Sequence, residues 1–310
     1  MHLIVPFAAP LGEGARPARE RLALPQLRAW LPRLAEGGRD AGDEWSLSPP
    51  HERALARALG LAGADGGLPW AARSAAADGL DPGTLAWGLL TPAHWHLGTD
   101  QVSLGDPEAL GLDEAGSREL FEAVRTLFTS EGFVACWGAP LRWYVAHESL
   151  ATLRCASPDR VIGRNVDRWL TEDPAVRLVR RLQNEVQMLL HEHPINQRRQ
   201  AQGLPAVNSF WLSGCGAAQP ARAETPRIDT RLRKPALGAD WAGWVASWES
   251  LDAGPIAELR AAAERGAAVR LTLCGERSAL DLEPAAPTWR RFLPPRLQGR
   301  GAPASLLDSL

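Results

Sequence analysis

Residues 184–216 read NEVQMLLHEHPINQRRQAQGLPAVNSFWLSGCG, from Asn184 to Gly216. Within these 33 residues come the end of a helix, a proline break, a loop rich in amides and arginines, a strand and a glycine turn. The helix begins upstream at Asp173-Pro174, a capping residue followed by proline. It carries Val176, Val179, Leu182, Val186 and Leu189 as one apolar stripe to about His191. Pro194 stops it, and Asn208 to Leu212 forms a strand entering the Gly214-Cys215-Gly216 turn. The close succession of the two periodicities sets a mixed unit of helix and sheet.

Upstream, Asp113 to Ser130 predicts a helix with Leu120, Phe121, Val124, Leu127 and Phe128 on one face. Phe133–Trp137 and Leu141–Val145 flank Gly138-Ala139-Pro140 as a hairpin. From Leu85 to Val102 two short strands are divided by Thr91-Pro92. The outer parts of the chain have a different grain. Leu3 to Phe7 is a buried first strand stopped by Ala9-Pro10-Leu11-Gly12. Leu24 to Leu34 and Glu52 to Leu61 are helices, Gly37 to Pro50 is a polar loop, and a glycine- and alanine-rich loop runs to about Pro82. After Leu212, residues 217–238 read as a linker. Trp241, Trp244 and Trp248 then share a helix face. Pro255 to Arg265 is a helix, Val269 to Cys274 a strand, and a proline-rich tail starts at Pro284. The expected fold class is α/β: a core built from residues 1–84 and 221–310, interrupted by an α+β insertion at 85–220.

The composition excludes several classes. The 310 residues are 45% hydrophobic, as in a folded protein, and 34 basic residues face 36 acidic ones for a net charge of −2. No block of like charge reaches five residues, so nucleic acid is not an expected partner. Lys234 is the sole lysine, so the arginines reflect a bias along the whole chain and one of them alone says little about phosphate. Cys136, Cys155, Cys215 and Cys274 form no C-x-x-C, which fits reduced thiols. No stretch approaches 18 apolar residues, and the first ten lack a basic flank or cleavage site. The expected location is the cytoplasm, without a membrane partner.

His94-Trp95-His96 and His191-Glu192-His193 pose the question of a metal. On a strand the i and i+2 side chains share a face, so the first pair could reach one ion. At a helix end they diverge by about 200°, and the second pair suits capping and the helix dipole. A joint site of both pairs is therefore not expected. Arg198, Arg199, Asn196 and Asn208 beside a glycine turn can bind an anion. They suit equally a bracing role, the asparagines holding loops and the arginines solvated, which is the commoner use of such residues. No G-x-S-x-G is present, and Asp65-Gly66 and Asp78-Gly79 read as turns.

Residues Trp87 to Pro220 resemble the inserted domain of the archaeal-type, cofactor-independent phosphoglycerate mutases of the alkaline phosphatase superfamily. The resemblance lies in Thr99 to Asp106, Trp143-Tyr144-Val145, His193-Pro194-Ile195-Asn196 with Arg199, and Ala206 to Leu212 with Gly214 and Gly216. Over nearly its full length the chain is similar to the RpfE-type regulatory proteins of proteobacteria. Leu47 to Glu52, Val161 to Asn165, Asn184 to Met188 and Leu273 to Arg277 carry that second match. The resemblance implies a reduced alkaline-phosphatase-like core. In the mutases a phosphoserine and two metal ions do the chemistry, the ions ionising the nucleophile and neutralising developing charge.

The chain departs from that pattern where it can be compared. Its first strand ends Pro6-Phe7-Ala8 without an aspartate, His51-Glu52 stands where the nucleophilic serine and its aspartate align, and no histidine follows His193. The expectation is therefore a catalytically silent, regulatory or metabolite-sensing protein with no metal and no other cofactor. Its ligand is a phosphorylated or carboxylated metabolite, its partner a regulatory protein. By the resemblance, Asp159, Arg164, Asn165, His193, Asn196, Arg199 and Asn208 bind the ligand. Two alternatives stand beside it. One is an active mutase or phosphatase, using Mn or Mg, with His51 as a phosphorylated nucleophile and Glu52 orienting it. The other is an interaction protein without a small ligand.

Overall fold

A computed structural model describes residues 1–170, 176–285 and 303–310. The chain divides into two compact units, one made of residues 1–60 and 222–310, the other of residues 61–221. The first unit opens with β1 (His2–Ala9), α1 (Ala15–Glu20), α2 (Pro25–Trp30), β2 (Leu34–Ala41) and α3 (Pro50–Leu59). The second contains α4 (Trp70–Ala77), β3 (Ala86–Ala93), β4 (Trp95–Leu97), β5 (Val102–Leu104), α5 (Glu114–Thr129), β6 (Val134–Ala139), β7 (Arg142–Ala146), α6 (Pro158–Val161), α7 (Val176–His191), α8 (Pro194–Ala201) and β8 (Ser209–Ala217). The chain then returns to the first unit with β9 (Arg227–Ile228), α9 (Arg233–Leu237), α10 (Trp241–Leu251), α11 (Ala257–Glu264), β10 (Arg270–Gly275), β11 (Ser278–Pro284) and α12 (Pro303–Leu307).

In the first unit the five strands run in the order β2-β11-β10-β1-β9. β1 is parallel to both its neighbours, with Leu3 opposite Leu271 and Ile4 opposite Ile228. β10–β11 and β11–β2 are antiparallel. Side chains alternate across the sheet. Leu3, Val5, Leu271, Leu273, Leu280 and Leu282 meet Leu27, Trp30, Trp244 and Trp248 of α2 and α10 on one face. Ile4, Cys274 and Ala279 meet Ala54 of α3 on the other. The fold is α/β, and strands from the two ends of the chain pair with each other.

The second unit holds an antiparallel sheet, β6-β7-β3-β8, and the two-stranded ribbon β4-β5. α5 and α7 cover one face with Phe121, Val124, Phe128, Leu182 and Val186 against Trp143, Phe210 and Leu212. α4 covers the other, laying Ala71, Ala72 and Ala75 on Trp87 and Tyr144. Ser117 of α5 pins the first layer. Its buried hydroxyl accepts the indole N–H groups of Trp137 at 3.0 Å and Trp143 at 2.9 Å, and donates to the Pro140 carbonyl at 2.8 Å. Among the described residues no helix is long and apolar enough to cross a membrane.

Several elements differ from the sequence reading. The helix expected to Leu34 is α-helical to Trp30 and closes in a 3₁₀ turn over Leu31–Arg33, and the polar loop after Gly37 opens with the rest of strand β2, to Ala41. β2 is an edge strand paired with β11 alone, so it needs no apolar alternation. β11 occupies residues between the expected strand at Val269–Cys274 and the tail from Pro284, a stretch to which the sequence reading assigns no element. The supposed loop before Pro82 contains α4, whose alanines are small enough to lie flat on the sheet. β3 runs unbroken through Thr91-Pro92, because β7 pairs with it only as far as Leu90 and the proline lies beyond that edge. β8 likewise continues through Gly214-Cys215-Gly216. Gly214 has φ +64, and a Cβ there would stand 2.9 Å from the Ala71 amide nitrogen. The glycines thus let α4 approach the strand and do not end it. Residues 217–238 include β9 and α9. The helix start expected at Asp173-Pro174 lies outside the described residues.

Candidate functional site

The carboxyl end of β1 is where a parallel pair of strands would present a ligand site. The strand register shifts between Val5 and Ala9, and Phe7 within the shift adopts φ +56, a left-handed backbone rare for a bulky side chain. Two tryptophans of α10 hold the irregular backbone. Trp244 Nε1 donates to the Phe7 carbonyl at 3.0 Å and Trp248 Nε1 to the Ala8 carbonyl at 3.2 Å. The Phe7 ring lies against His51, at the start of α3, with centroids 5.4 Å apart and planes at 37°. His51 and Glu52 are half-buried. Among the described residues no group of three or more His, Cys, Asp or Glu side chains could hold a metal ion.

The other residues singled out in the sequence lie in the second unit. His193 caps α8, its Nδ1 facing the Ile195 amide at 3.4 Å. Asn196 is buried, donating to the Leu190 and Val207 carbonyls at 2.9 and 2.8 Å and accepting from the Val207 amide at 2.9 Å. Arg199 donates through Nε to the Pro205 carbonyl at 2.9 Å and through Nη2 to the Leu110 carbonyl. Burial lowers its pKa, opposed by the charge of Asp113. Asn208 accepts from the Trp95 amide at 2.7 Å and donates to the Trp95 carbonyl at 2.9 Å. These bonds brace the loop from α8 into β8.

Asp159, half-buried, stands in the first turn of α6. The Arg164 guanidinium lies 5.8 Å from the Trp169 ring centroid, and Arg160 lies 5.6 Å from the same centroid. Asn165 caps the following turn by accepting from the Asp167 amide at 3.0 Å. Bridges from Leu104 to Ile162 and from Ser103 to Asn165 add this segment to β5, whose partner β4 carries the Trp95 that Asn208 clamps. Arg164, Asn165 and Asn208 are thereby joined through one ribbon. His193, Asn196 and Arg199 stand on the α8 side of it, and His51 and Glu52 belong to the other unit. Sequence reasoning missed Phe7 as a strained position and the two indoles that fix it. Only the even spacing of Trp244 and Trp248 hinted at them.

No protein-family model and no curated protein matches the chain. Among solved structures it is similar to a cofactor-independent phosphoglycerate mutase from Thermoplasma acidophilum DSM 1728, at 14% identity and a TM-score of 0.38, over 91% of this chain and 89% of that one. It is also similar to the PH0037 protein from Pyrococcus horikoshii, at 12% identity and a TM-score of 0.43, over 92% of this chain and 87% of that one. At these values neither likeness transfers a residue, a ligand or an activity.

Proposed function

We propose that the chain is a catalytically silent phosphoglycerate mutase-like protein that senses a phosphorylated or carboxylated metabolite in the cytoplasm and acts as a regulatory protein of the RpfE type. The observation that carries the reading is the packing of Phe7 on His51. By the sequence resemblance these are the positions of a metal-binding aspartate and of the nucleophilic serine, and an aromatic contact stands there in place of that pair. Binding then rests with the second unit, where Asp159, Arg164 and Asn165 contact the ligand. His193, Asn196, Arg199 and Asn208 brace the loop from α8 into β8.

Thermal unfolding with 3-phosphoglycerate, with and without Mn²⁺, tests this, because a ligand that binds only the folded state raises the midpoint. The expected result is a metal-independent rise that Arg164→Ala removes. Mn²⁺-dependent turnover abolished by His51→Ala would establish the enzyme instead. A midpoint unmoved by the acid would leave the interaction protein.

A further inference from the structure

His94 and His96 flank Trp95 where β3 gives way to β4, and their ring centroids are 4.4 Å apart with planes at 73°. Extended backbone puts alternate side chains on one face, so the spacing permits the approach. Three sets of bonds hold it in place. Asn208 clamps the amide and the carbonyl of the intervening Trp95. The His94 carbonyl accepts from the Gly105 amide at 2.9 Å. The His94 ring meets the Ala206 carbonyl oxygen through Nδ1 at 2.7 Å. A carbonyl only accepts, so the proton sits on Nδ1 and the lone pair on Nε2. A backbone carbonyl behind one ring nitrogen is the partner that orients a metal-binding histidine and raises its basicity.

His96 is exposed. Its Nε2 faces Gly105, where a Cβ would stand 3.0 Å from that nitrogen and 3.1 Å from the His94 carbonyl oxygen. A side chain at position 105 would crowd this nitrogen.

We propose that His94 and His96 chelate one divalent transition-metal ion, His94 through Nε2 and His96 through one ring nitrogen, with water in the remaining positions. Among the described residues no third His, Cys, Asp or Glu joins the pair, so the site is an open two-nitrogen chelate. Imidazole nitrogens select Cu²⁺, Ni²⁺ or Zn²⁺ over Mg²⁺ and Ca²⁺, which take oxygen ligands. This site is independent of the metabolite reading.

The test is calorimetric titration of the full chain with Ni²⁺, joined to electron paramagnetic resonance with Cu²⁺. One equivalent of Ni²⁺ is expected to bind, weakened at least about tenfold by His96→Ala. His2→Ala, which removes the imidazole beside the amino terminus, should leave the affinity unchanged. The Cu²⁺ spectrum should show two coupled nitrogens, reduced to one by His96→Ala. Gly105→Ala keeps both rings and should weaken binding by crowding Nε2. Affinity unchanged in His96→Ala, or lost in His2→Ala instead, would overturn the proposal, as would failure to bind Ni²⁺ at all.

Discussion

Phe7 rests its ring on His51 at 5.4 Å while its own backbone holds φ +56, so the contact and the strain belong to the same residue. The indoles of Trp244 and Trp248 bind the carbonyls on either side of the Phe7–Ala8 link and keep the backbone there. Removing the ring without relieving the backbone should be worse than removing both. Phe7→Gly is expected to be more stable than Phe7→Ala by about 1 kcal/mol. Urea unfolding of the two variants checks it, and an alanine variant equal to or better than the glycine one would mean the bend carries no strain.

Ser117→Ala should destabilise by about 2–3 kcal/mol, because it leaves the buried Trp143 indole N–H unpaired and deprives Trp137 of its acceptor as well. Denaturant midpoints measure this. A loss under about half a kcal/mol would show that the indoles find other partners.

Asp78 ties α4 to β7. It takes two bonds from Arg142, at 2.9 and 2.7 Å, and one from the Tyr144 hydroxyl at 2.7 Å. The Arg142 bonds do most to lower its pKa, burial opposes them, and Tyr144 adds to the lowering. A depressed carboxyl pKa gives stability that is present above the unfolded value of 3.8 and is lost as pH falls through the lower folded value. Asp78→Asn should therefore cost most at pH 7 and progressively less toward pH 2, read as the difference in Tm from the parent chain. A constant difference across that range would count against the linkage.

Asp252 caps α2 from across the sequence, accepting from the Gln26 and Leu27 amides at 2.9 and 2.8 Å. No side chain of the local N-cap, Leu24, does so. Asp252→Ala should cost about 1–2 kcal/mol, and hydrogen exchange should show faster opening of the Gln26 and Leu27 amides than of β10.

How far the sequence revealed this molecule follows from the range of each interaction. Helices α5, α7 and α10 were legible because their apolar stripes repeat within one element. The β6–β7 hairpin was legible from its local turn. β2 was not, since an exposed edge strand with two glycines has no alternation and the sheet defines it only through residues more than 200 positions away, whereas β11 is antiparallel to β10 across a short turn and its local hairpin signal was passed over. α4 failed because alanine gives little contrast between faces. In the candidate sites, the residue types of Asn196, Arg199 and Asn208 were visible but their bonds were not. Each bond joins a side chain to a backbone group whose position depends on the rest of the unit. The His94–Ala206 contact, which fixes a proton on one nitrogen, lies beyond any spacing rule.

β1 lies between β10 and β9, and its first backbone partner in the sheet is made only after the whole 61–221 unit. At a synthesis rate of about 5–20 residues per second, roughly 10–45 s pass between the emergence of β1 and that of β9, its first partner. During that interval Leu3, Ile4 and Val5 form an apolar edge with no neighbour, open to chaperones or to the same segment of another nascent chain. The order of strands in the finished sheet thus makes the youth of the chain its most vulnerable period, and the interrupting unit sets how long that period lasts.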